Sequence, residues 1–192
     1  MLKIILIRPG STEFDEQGRI QGTLDIPLCP SGEREVAQTI EALKPSLLTV
    51  IYASPSQPAE ETGQRIASAL DVKFKTLETM GNVNQGLWQG LLVDDVKRKQ
   101  PRVYRQWQES PESVRPPEGE TVSEAQERIA ATINKLLKKH KEGVFGLVLP
   151  EPLASLVRCY LRSEEIGNLW RARTEGEGWE AIEIEPRTLA LR

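Results

Sequence analysis

Short apolar runs alternate along the chain with longer segments whose apolar residues recur at helical spacing. The run Leu2–Ile7 is nearly continuous, which is typical of a strand buried on both faces of a parallel sheet. Residues 47–52 and 144–149 repeat this pattern, and residues 74–77 predict a weaker strand. Apolar and acidic residues alternate over Trp179–Ile184, which predicts a late, half-exposed strand.

Helices are predicted between these strands from the spacing of their apolar positions. The longer ones cover residues 31–43, 59–70, 121–141 and 153–161, and two short helical patches cover residues 93–99 and 103–108. Thr121 and Glu124 form a capping-box signature at the start of the third long helix. Because strands and helices alternate, the pattern predicts an α/β fold with a mainly parallel sheet.

The carboxyl ends of the parallel strands are the expected place for a ligand site in such a sheet. Those ends are Arg8-Pro9-Gly10, residues 54–58 and residues 149–152. A segment near residues 80–120 is rich in glycine and proline and is predicted to be a loop-rich insert. No repeat or linker composition divides the chain, so we expect residues 1–192 to form a single domain.

Composition excludes several classes of function. The chain has 192 residues, a net charge of −3 and a single histidine. The weak acidic balance gives no electrostatic case for nucleic acid, and no segment approaches the roughly 20 apolar residues of a membrane span. One histidine excludes sites that need two imidazoles, which include most catalytic zinc sites. We therefore expect no metal, no cofactor, no nucleic-acid partner and no membrane partner.

The two cysteines and the start of the chain predict a cytoplasmic protein. Cys29 and Cys159 are far apart and lie in no CxxC motif, which suits a reducing compartment. The first apolar run is only a few residues long and ends at Arg8 without a cleavage-like site, so no signal peptide is expected.

Four blocks, in order, carry a resemblance to a known family. The opening reads LIRPGSTEFD at residues 6–15, GRIQG at 18–22 and DIPL at 25–28. It is followed by ASPSQPAEET at 53–62, GLWQG at 86–90 and PPEGET at 116–121. The chain resembles the histidine phosphatase superfamily, the phosphoglycerate mutase-like family, over nearly its whole length to about residue 160. The resemblance implies a three-layer αβα sandwich with a mainly parallel central sheet.

Four positions depart from the pattern of this family. The nucleophilic histidine of the R-H-G motif falls on Pro9, and the second pocket arginine falls on Pro58. The catalytic carboxylate falls on Asn82, and the second histidine falls on Pro150. Of the residues that form the family's charged pocket, Arg8 is the one that remains.

These replacements remove the family's route for phosphoryl transfer. Covalent transfer to histidine needs an imidazole lone pair in line with phosphorus, and proline in a chain has neither a lone pair nor an N–H to offer. An asparagine amide has no dissociable proton near neutral pH with which to protonate the leaving oxygen. The lone His140 lies among lysines at a predicted helix end and is expected to be a solvated surface residue. The residues therefore predict a catalytically inactive protein, with no catalytic residue.

A residual anion site remains a hypothesis of the sequence. Its residues match positions that line or flank the family's phosphate pocket: Arg8, Ser11, Thr12, Arg19, Gln21 and Gly22. The alternative is that these residues keep the loop folded, with Arg8 paired to a carboxylate such as Glu13 or Asp15. Trp88, Trp107, Trp170 and Trp179 similarly indicate either an exposed binding surface or packing of the irregular segments.

Two main functional hypotheses follow. The first is a pseudoenzyme that binds a protein partner, a second copy of itself, or a phosphorylated ligand held weakly at Arg8. The alternative is an active phosphatase or phosphoglycerate mutase-like enzyme with an atypical site. A third hypothesis is a structural subunit of a larger assembly. Hydrolysis of a phosphomonoester that depends on Arg8 distinguishes the second from the others.

Overall fold

A five-stranded sheet forms the centre of the computed structural model, which describes residues 1–167 and 178–184. The strands are β1 (Leu2–Ile7), β2 (Val50–Ala53), β3 (Lys73–Thr76), β4 (Gly143–Val148) and β5 (Trp179–Ile184). Their order is β3-β2-β4-β1-β5. Neighbouring strands are parallel except β5, which pairs antiparallel with β1 at one edge. The predicted α/β fold with a mainly parallel sheet is thereby confirmed.

Seven α-helices are described around the sheet. They are α1 (Glu13–Gln17), α2 (Pro30–Leu43), α3 (Gln57–Ala69), α4 (Val93–Lys99), α5 (Pro101–Glu109), α6 (Val122–Lys139) and α7 (Leu153–Arg162). The predicted capping box at Thr121 and Glu124 opens α6: the Thr121 hydroxyl accepts from the Glu124 amide, and the Glu124 carboxylate accepts from the Thr121 amide. These two bonds satisfy amide groups that the first helical turn leaves without partners.

The side chains of β1 show how the sheet separates two helical layers. Ile5 and Ile7 belong to a buried cluster that also contains residues of α2 and α3. Ile4 and Leu6 point to the opposite face and belong to a cluster that contains residues of α6 and α7. Because successive strand residues face opposite sides, a continuous apolar run is what a strand covered on both faces requires. The result is the expected αβα sandwich.

The observed elements differ from the predicted ones at two junctions. The apolar pattern predicts that Leu47 begins the second strand. In the structure its φ of 57° is left-handed and its side chain is 81% exposed, and β2 begins at Val50. The short helix α1 was missed inside the first loop. It has its own capping box, in which the Thr12 hydroxyl accepts from the Asp15 amide and the Asp15 carboxylate accepts from the Thr12 amide.

The segment near residues 80–120 contains α4 and α5 as well as loops. Trp88 and Trp107 are both buried there and meet edge to face, with ring centroids 5.8 Å apart. For Trp88 and Trp107, this contact favours the interpretation that the tryptophans pack the irregular segment, and not the one in which they form an exposed binding surface. Trp179 is half-buried, and Trp170 lies outside the described residues. In residues 1–167 and 178–184, no helix combines the length and the apolar character needed to cross a membrane.

His140 is packed against the sheet, which corrects the expectation of a solvated residue. It follows α6 at the amino end of β4, the opposite end of the sheet from the predicted site. Its Nε2 lies 2.9 Å from the Tyr52 hydroxyl, and its ring centroid lies 4.7 Å from that of Phe145. The lysines around it in sequence did not reveal this packing, because the partners come from β2 and β4.

Candidate functional site

The carboxyl ends of β1 and β4 bring Arg8 and Glu151 together. These strands are parallel neighbours with Ile7 opposite Val148, so the residues that follow them lie side by side. The Arg8 Nε lies 3.7 Å from the Glu151 Oε1, and both side chains are mostly buried, with exposures of 29% and 12%. They line a cavity of about 960 Å³ at this edge of the sheet. The predicted location of the site at the strand ends therefore contains a cavity with a charged pair.

Glu151 is held in place by the start of α7. Its Oε2 accepts a hydrogen bond from the Ser155 amide at 3.1 Å, near the first turn of the helix. Burial raises the pKa of the Glu151 carboxyl above its ordinary value, although the hydrogen bonding of Ser155 and the charge of Arg8 act in the opposite direction. A carboxyl group with a raised pKa retains its proton closer to neutral pH, which suits it to proton transfer.

The four positions that depart from the family pattern lie at or next to the cavity that contains Arg8 and Glu151. Pro9, Pro58 and Pro150 all line the cavity, and Pro58 lies in the first turn of α3. Asn82 is buried, and its Nδ2 donates to the carbonyl oxygens of Gly22 and Glu151, at 3.0 Å each. Asn82 thus joins the first loop to the segment that carries Glu151, a task that needs an amide donor.

Five of the six residues predicted for an anion site line the cavity. They are Arg8, Ser11, Thr12, Gln21 and Gly22. Arg19 is not among the lining residues: its guanidinium donates to the Gly90 carbonyl at 2.7 Å and to the Gln17 Oε1 at 2.6 Å. Arg19 therefore ties the first loop to the segment before α4.

The two hydroxyl residues of this set are bonded to carboxylates. The Ser11 amide and hydroxyl both donate to the Glu35 carboxylate of α2, at 2.8–2.9 Å. The Thr12 hydroxyl donates to the Asp15 carboxylate at 2.8 Å. These bonds agree with the alternative interpretation for Ser11 and Thr12, in which the residues keep the loop folded. For Arg8 that interpretation predicts a carboxylate partner such as Glu13 or Asp15, and the structure shows an ion pair with Glu151.

A second ion pair fixes the segment that carries Asn82. The guanidinium of Arg128, on α6, lies 2.7 Å from the Glu120 carboxylate. It also donates to the carbonyl oxygens of Gly81, at 2.6 Å, and Asn82, at 3.2 Å. The Glu120 carboxylate accepts in turn from the Asn84 amide at 2.9 Å. Arg128 thus connects α6 to the segment that carries Asn82.

Most charged side chains on the described part of the cavity wall are acidic. Among residues 1–167 and 178–184, the charged lining residues are one cation, Arg8, and four carboxylates, Asp15, Glu16, Glu35 and Glu151. Among the described residues, no group of three or more histidine, cysteine or acidic side chains is arranged to hold a metal ion. Sequence reasoning missed Glu151, although the signal was present: it is the one ionisable residue in the proline-flanked turn after β4.

Comparison with known proteins identifies the family of the chain. The model described as "Histidine phosphatase superfamily (branch 1)" matches residues 4–192. The chain belongs to branch 1 of the histidine phosphatase superfamily. The family predicted from the sequence blocks is confirmed, and Pro9, Pro58, Asn82 and Pro150 are thus departures within this superfamily rather than marks of another fold.

A curated relative and two solved structures match almost the whole chain. Phosphoserine phosphatase 1 of Hydrogenobacter thermophilus is 27% identical over 187 residues, which cover 97% of this chain and 89% of that protein. The solved structure of a mycobacterial glucosyl-3-phosphoglycerate phosphatase superposes with a TM-score of 0.85 at 18% identity, over 97% of this chain and 93% of the other. A phosphoserine phosphatase of Entamoeba histolytica gives 0.79 at 24% identity, over 94% and 90%.

These names contradict the prediction of a catalytically inactive protein, a pseudoenzyme that acts by binding alone. A relative that matches the chain almost end to end is named as a phosphoserine phosphatase, so the prediction is wrong. It equated loss of the histidine route with loss of every route. On the same cavity wall as Pro9, the structure places the guanidinium of Arg8 and the carboxyl group of Glu151.

Proposed function

We propose that this chain is a phosphatase with an atypical site. It hydrolyses a small phosphomonoester in the cavity at the carboxyl ends of β1 and β4. The observation that carries the proposal is the pair of Arg8 and Glu151, a guanidinium and a buried carboxyl 3.7 Å apart at the family's catalytic position. The names of the relatives support the reaction class.

Arg8 is the group that binds phosphate. A guanidinium presents a fork of N–H donors that matches two phosphate oxygens and neutralises part of their charge as the ester bond breaks. Its Nε lies 3.7 Å from the Glu151 Oε1, so a phosphate bound to Arg8 lies close to that carboxyl group. The three proline rings on the wall add no donors, so we expect phosphate to be held weakly compared with a site that has several cationic groups.

Glu151 is the group that moves the proton. Its raised pKa keeps it protonated closer to neutral pH than an ordinary glutamate, and the protonated carboxyl donates to the leaving ester oxygen. Water attacks phosphorus directly, the bond to the leaving oxygen breaks, and the proton of the attacking water passes to the phosphate product. Glu151 then regains its proton from solvent. The products are an alcohol and inorganic phosphate.

Hydrolysis is favoured over a mutase reaction by the residue at the nucleophile position. A mutase that works through a phosphorylated enzyme needs a side chain to hold the phosphoryl group between two transfers. Pro9 provides none. Transfer to water needs no such holder, so the proposal is a phosphatase.

The test compares initial rates of p-nitrophenyl phosphate hydrolysis by the wild type, Arg8→Ala and Glu151→Gln. Each substitution is expected to lower kcat/KM by about 100-fold or more, the usual size of a lost acid or oxyanion group. Arg98→Ala is the matched control, because this arginine is 75% exposed on α4. Hydrolysis absent from the wild type, or unchanged in both site variants, would overturn the proposal.

A further inference from the structure

Four exposed lysines on β3 and α6 form a group outside the cavity, which we call the lysine cluster. They are Lys73, Lys75, Lys135 and Lys139. In residues 1–167 and 178–184, no ion pair joins any of them to a carboxylate, although the chain has 28 acidic residues and a net charge of −3. An acidic protein therefore has a local excess of positive charge on this surface.

The edge strand β3 directs two of these lysines to the face of the sheet that α6 covers. Lys73 is opposite Val50 in the parallel register, and Lys75 is opposite Tyr52. Val50 and Tyr52 belong to the buried cluster that contains residues of α6 and α7. Because paired residues of adjacent strands point to the same face, Lys73 and Lys75 lie on that face as well.

One flank of α6 brings the other two lysines to β3. Residues three or four apart are neighbours on a helix surface, so Thr132, Lys135 and Lys139 lie along one flank. The Thr132 hydroxyl lies 2.8 Å from the hydroxyl of Thr79, in the segment that follows β3. The Lys139 ammonium donates to the Tyr52 hydroxyl at 2.9 Å. Lys135 lies between these two contacts and therefore faces β3.

Tyr52 lies between Lys75 and Lys139. The Lys139 ammonium is 5.4 Å from the centroid of the Tyr52 ring, a cation–π contact that holds it in place. Lys75 leaves the adjacent strand, about 4.8 Å away, and its side chain is about as long as that of tyrosine. Both ammonium groups can therefore reach one anion above the Tyr52 hydroxyl, with Lys73 and Lys135 beside it.

Carboxylates of the neighbouring segments do not neutralise the cluster. Asp71, Glu78 and Glu142 each lie within three residues of a cluster lysine along the chain, but in the described part of the chain none forms an ion pair with one. The repulsion between like charges opposes folding, and a bound anion would relieve it. Lysines on an edge strand also prevent pairing with another chain, but that role does not need the two lysines of α6.

We propose that the lysine cluster binds an anion with several linked phosphate groups, which is an inorganic polyphosphate or a nucleoside polyphosphate. Lys75 and Lys139 hold the phosphate nearest to the Tyr52 hydroxyl, and the other two lysines bind its neighbours. Lysine binds phosphate as a point charge. Linked phosphates bring several negative charges into a small volume, which the separate carboxylates of a peptide do not. No cluster lysine lines the cavity, so this site does not depend on the proposed phosphatase function.

Calorimetric titration with inorganic tripolyphosphate tests the site. We expect binding at low ionic strength that weakens with salt, because the Debye length falls from about 30 Å at 0.01 M to about 8 Å at 0.15 M. Lys75→Gln and Lys139→Gln are each expected to lower the affinity about two- to fivefold, and the double variant to lower it further. Lys44→Gln is the matched control and is expected to bind as the wild type does, because this exposed lysine is paired with Glu41.

Two further ligands define the chemistry that the cluster recognises. ATP carries three linked phosphates on a nucleoside, so affinity equal to that of tripolyphosphate supports the nucleoside polyphosphate, and weaker binding supports the inorganic chain. Hexaglutamate presents carboxylates and is expected to bind more weakly than tripolyphosphate. Hexaglutamate that binds as tightly would overturn the assignment to phosphate groups.

Arg8→Ala separates the lysine cluster from the cavity. This variant is expected to bind tripolyphosphate as the wild type does. Binding that Arg8→Ala loses and the double lysine variant retains would place the anion in the cavity and overturn the proposal, as would absence of binding to the wild type. Thermal unfolding gives a second readout: tripolyphosphate is expected to raise the melting temperature of the wild type more than that of the double variant. The exposed positions of these lysines make both variants suitable for this comparison.

Discussion

The Nε of Arg8 lies 3.7 Å from the Oε1 of Glu151, and the two residues reach this position from different strands. Arg8 directly follows β1, and Glu151 lies in the turn between β4 and α7. An anion that binds Arg8 therefore approaches a carboxylate as well as a guanidinium. The charge of Glu151 controls how well the site accepts an anion, and that charge changes with pH.

Anion binding is predicted to be coupled to protonation of Glu151. Burial raises the pKa of this carboxyl, and an anion on Arg8 stabilises the neutral acid further. The affinity for sulfate, which remains a dianion over the useful range, is expected to rise as pH falls towards the raised pKa of Glu151. One coupled proton limits the change to about tenfold per pH unit. Isothermal titration calorimetry at several pH values measures it.

Two variants check the origin of this pH dependence. Glu151→Gln is expected to bind sulfate more tightly at neutral pH with little change across the range, although it loses hydrolytic activity. Glu35→Gln removes a cavity carboxylate that accepts hydrogen bonds from the Ser11 hydroxyl, and is expected to keep the pH dependence. A Glu151→Gln variant that still follows pH like the wild type would contradict the coupling.

Asn82 is predicted to be structurally necessary as an amide. Its Nδ2 donates to two buried carbonyl oxygens, and the family's carboxylate at this position cannot do so when ionised. Asn82→Asp is therefore expected to destabilise the protein at pH 7 by about 2–4 kcal/mol, from the lost donors and a buried charge. Part of the loss should be recovered at acidic pH, where a protonated aspartic acid donates one bond.

Chemical denaturation of Asn82→Asp and Asn82→Ala at pH 5 and pH 7 tests this expectation. The alanine variant also loses both donors but introduces no charge, so its deficit should be similar at the two values. An aspartate variant as stable as the wild type at pH 7 would show that the two carbonyl oxygens do not depend on the amide.

The fold and the expected location of the site could be predicted from the sequence because both follow from local patterns. Apolar runs and helical spacing predict the layers, and the residues after β1 and β4 lie at one edge once the sheet is parallel. This pattern predicts Arg8 at a strand end, and the resemblance supplies its expected role in an anion site. The resemblance supplied the expected chemistry of Pro9, Pro58, Asn82 and Pro150, which is a property of the family pattern rather than of local structure.

The contacts that give the site its character could not be read from the sequence because they are non-local. Glu151 has a raised pKa because the folded chain buries it. The buried Oε1 of Gln85 has no hydrogen-bond partner among residues 1–167 and 178–184. The motif predicts Arg19 at the anion site, yet its guanidinium donates a hydrogen bond to the carbonyl oxygen of Gly90, 71 residues away along the chain. Spacing along the chain does not encode these outcomes.

Gly22 is predicted to be needed for close approach as well as for its backbone conformation. Its φ is +56°, and an added Cβ would overlap the Gln89 Oε1, which accepts hydrogen bonds from the first loop and from Gln85. Gly18 has a similar φ of +66°, but nothing lies within 4 Å of its added Cβ. Gly18→Ala carries the conformational cost alone, about 1 kcal/mol, whereas Gly22→Ala also displaces Gln89 and is expected to cost about 1–3 kcal/mol more.

Urea denaturation of the two alanine variants measures this difference directly. Gly22→Ala is also expected to weaken hydrolysis, since the Gly22 carbonyl shares the Asn82 amide with Glu151, while Gly18→Ala should retain activity. Equal destabilisation by the two substitutions would show that Gln89 moves aside without cost.

The single histidine is predicted to titrate below its ordinary pKa. Burial lowers the pKa of His140, and the neighbouring charge of Lys139 lowers it further. Because the chain has one histidine, its Hε1 proton gives one imidazole signal in an NMR titration, without assignment. The midpoint is expected below 6.5. The folded state then binds fewer protons than the unfolded state between that midpoint and about 6.5, so stability falls as pH is lowered through this window.

Tyr52 provides the matched variant for this measurement. Its hydroxyl lies 2.9 Å from the His140 Nε2 and accepts from the Lys139 ammonium at 2.9 Å. A hydroxyl that donates to Nε2 requires an uncharged ring, and this is the arrangement that the variant tests. Tyr52→Phe removes the donor and is expected to move the midpoint up towards 6.5. His140→Phe is expected to abolish the loss of stability in this pH window. A wild-type midpoint at or above 6.5 would mean that the imidazole is solvated, as the lysines around it in the sequence first indicated.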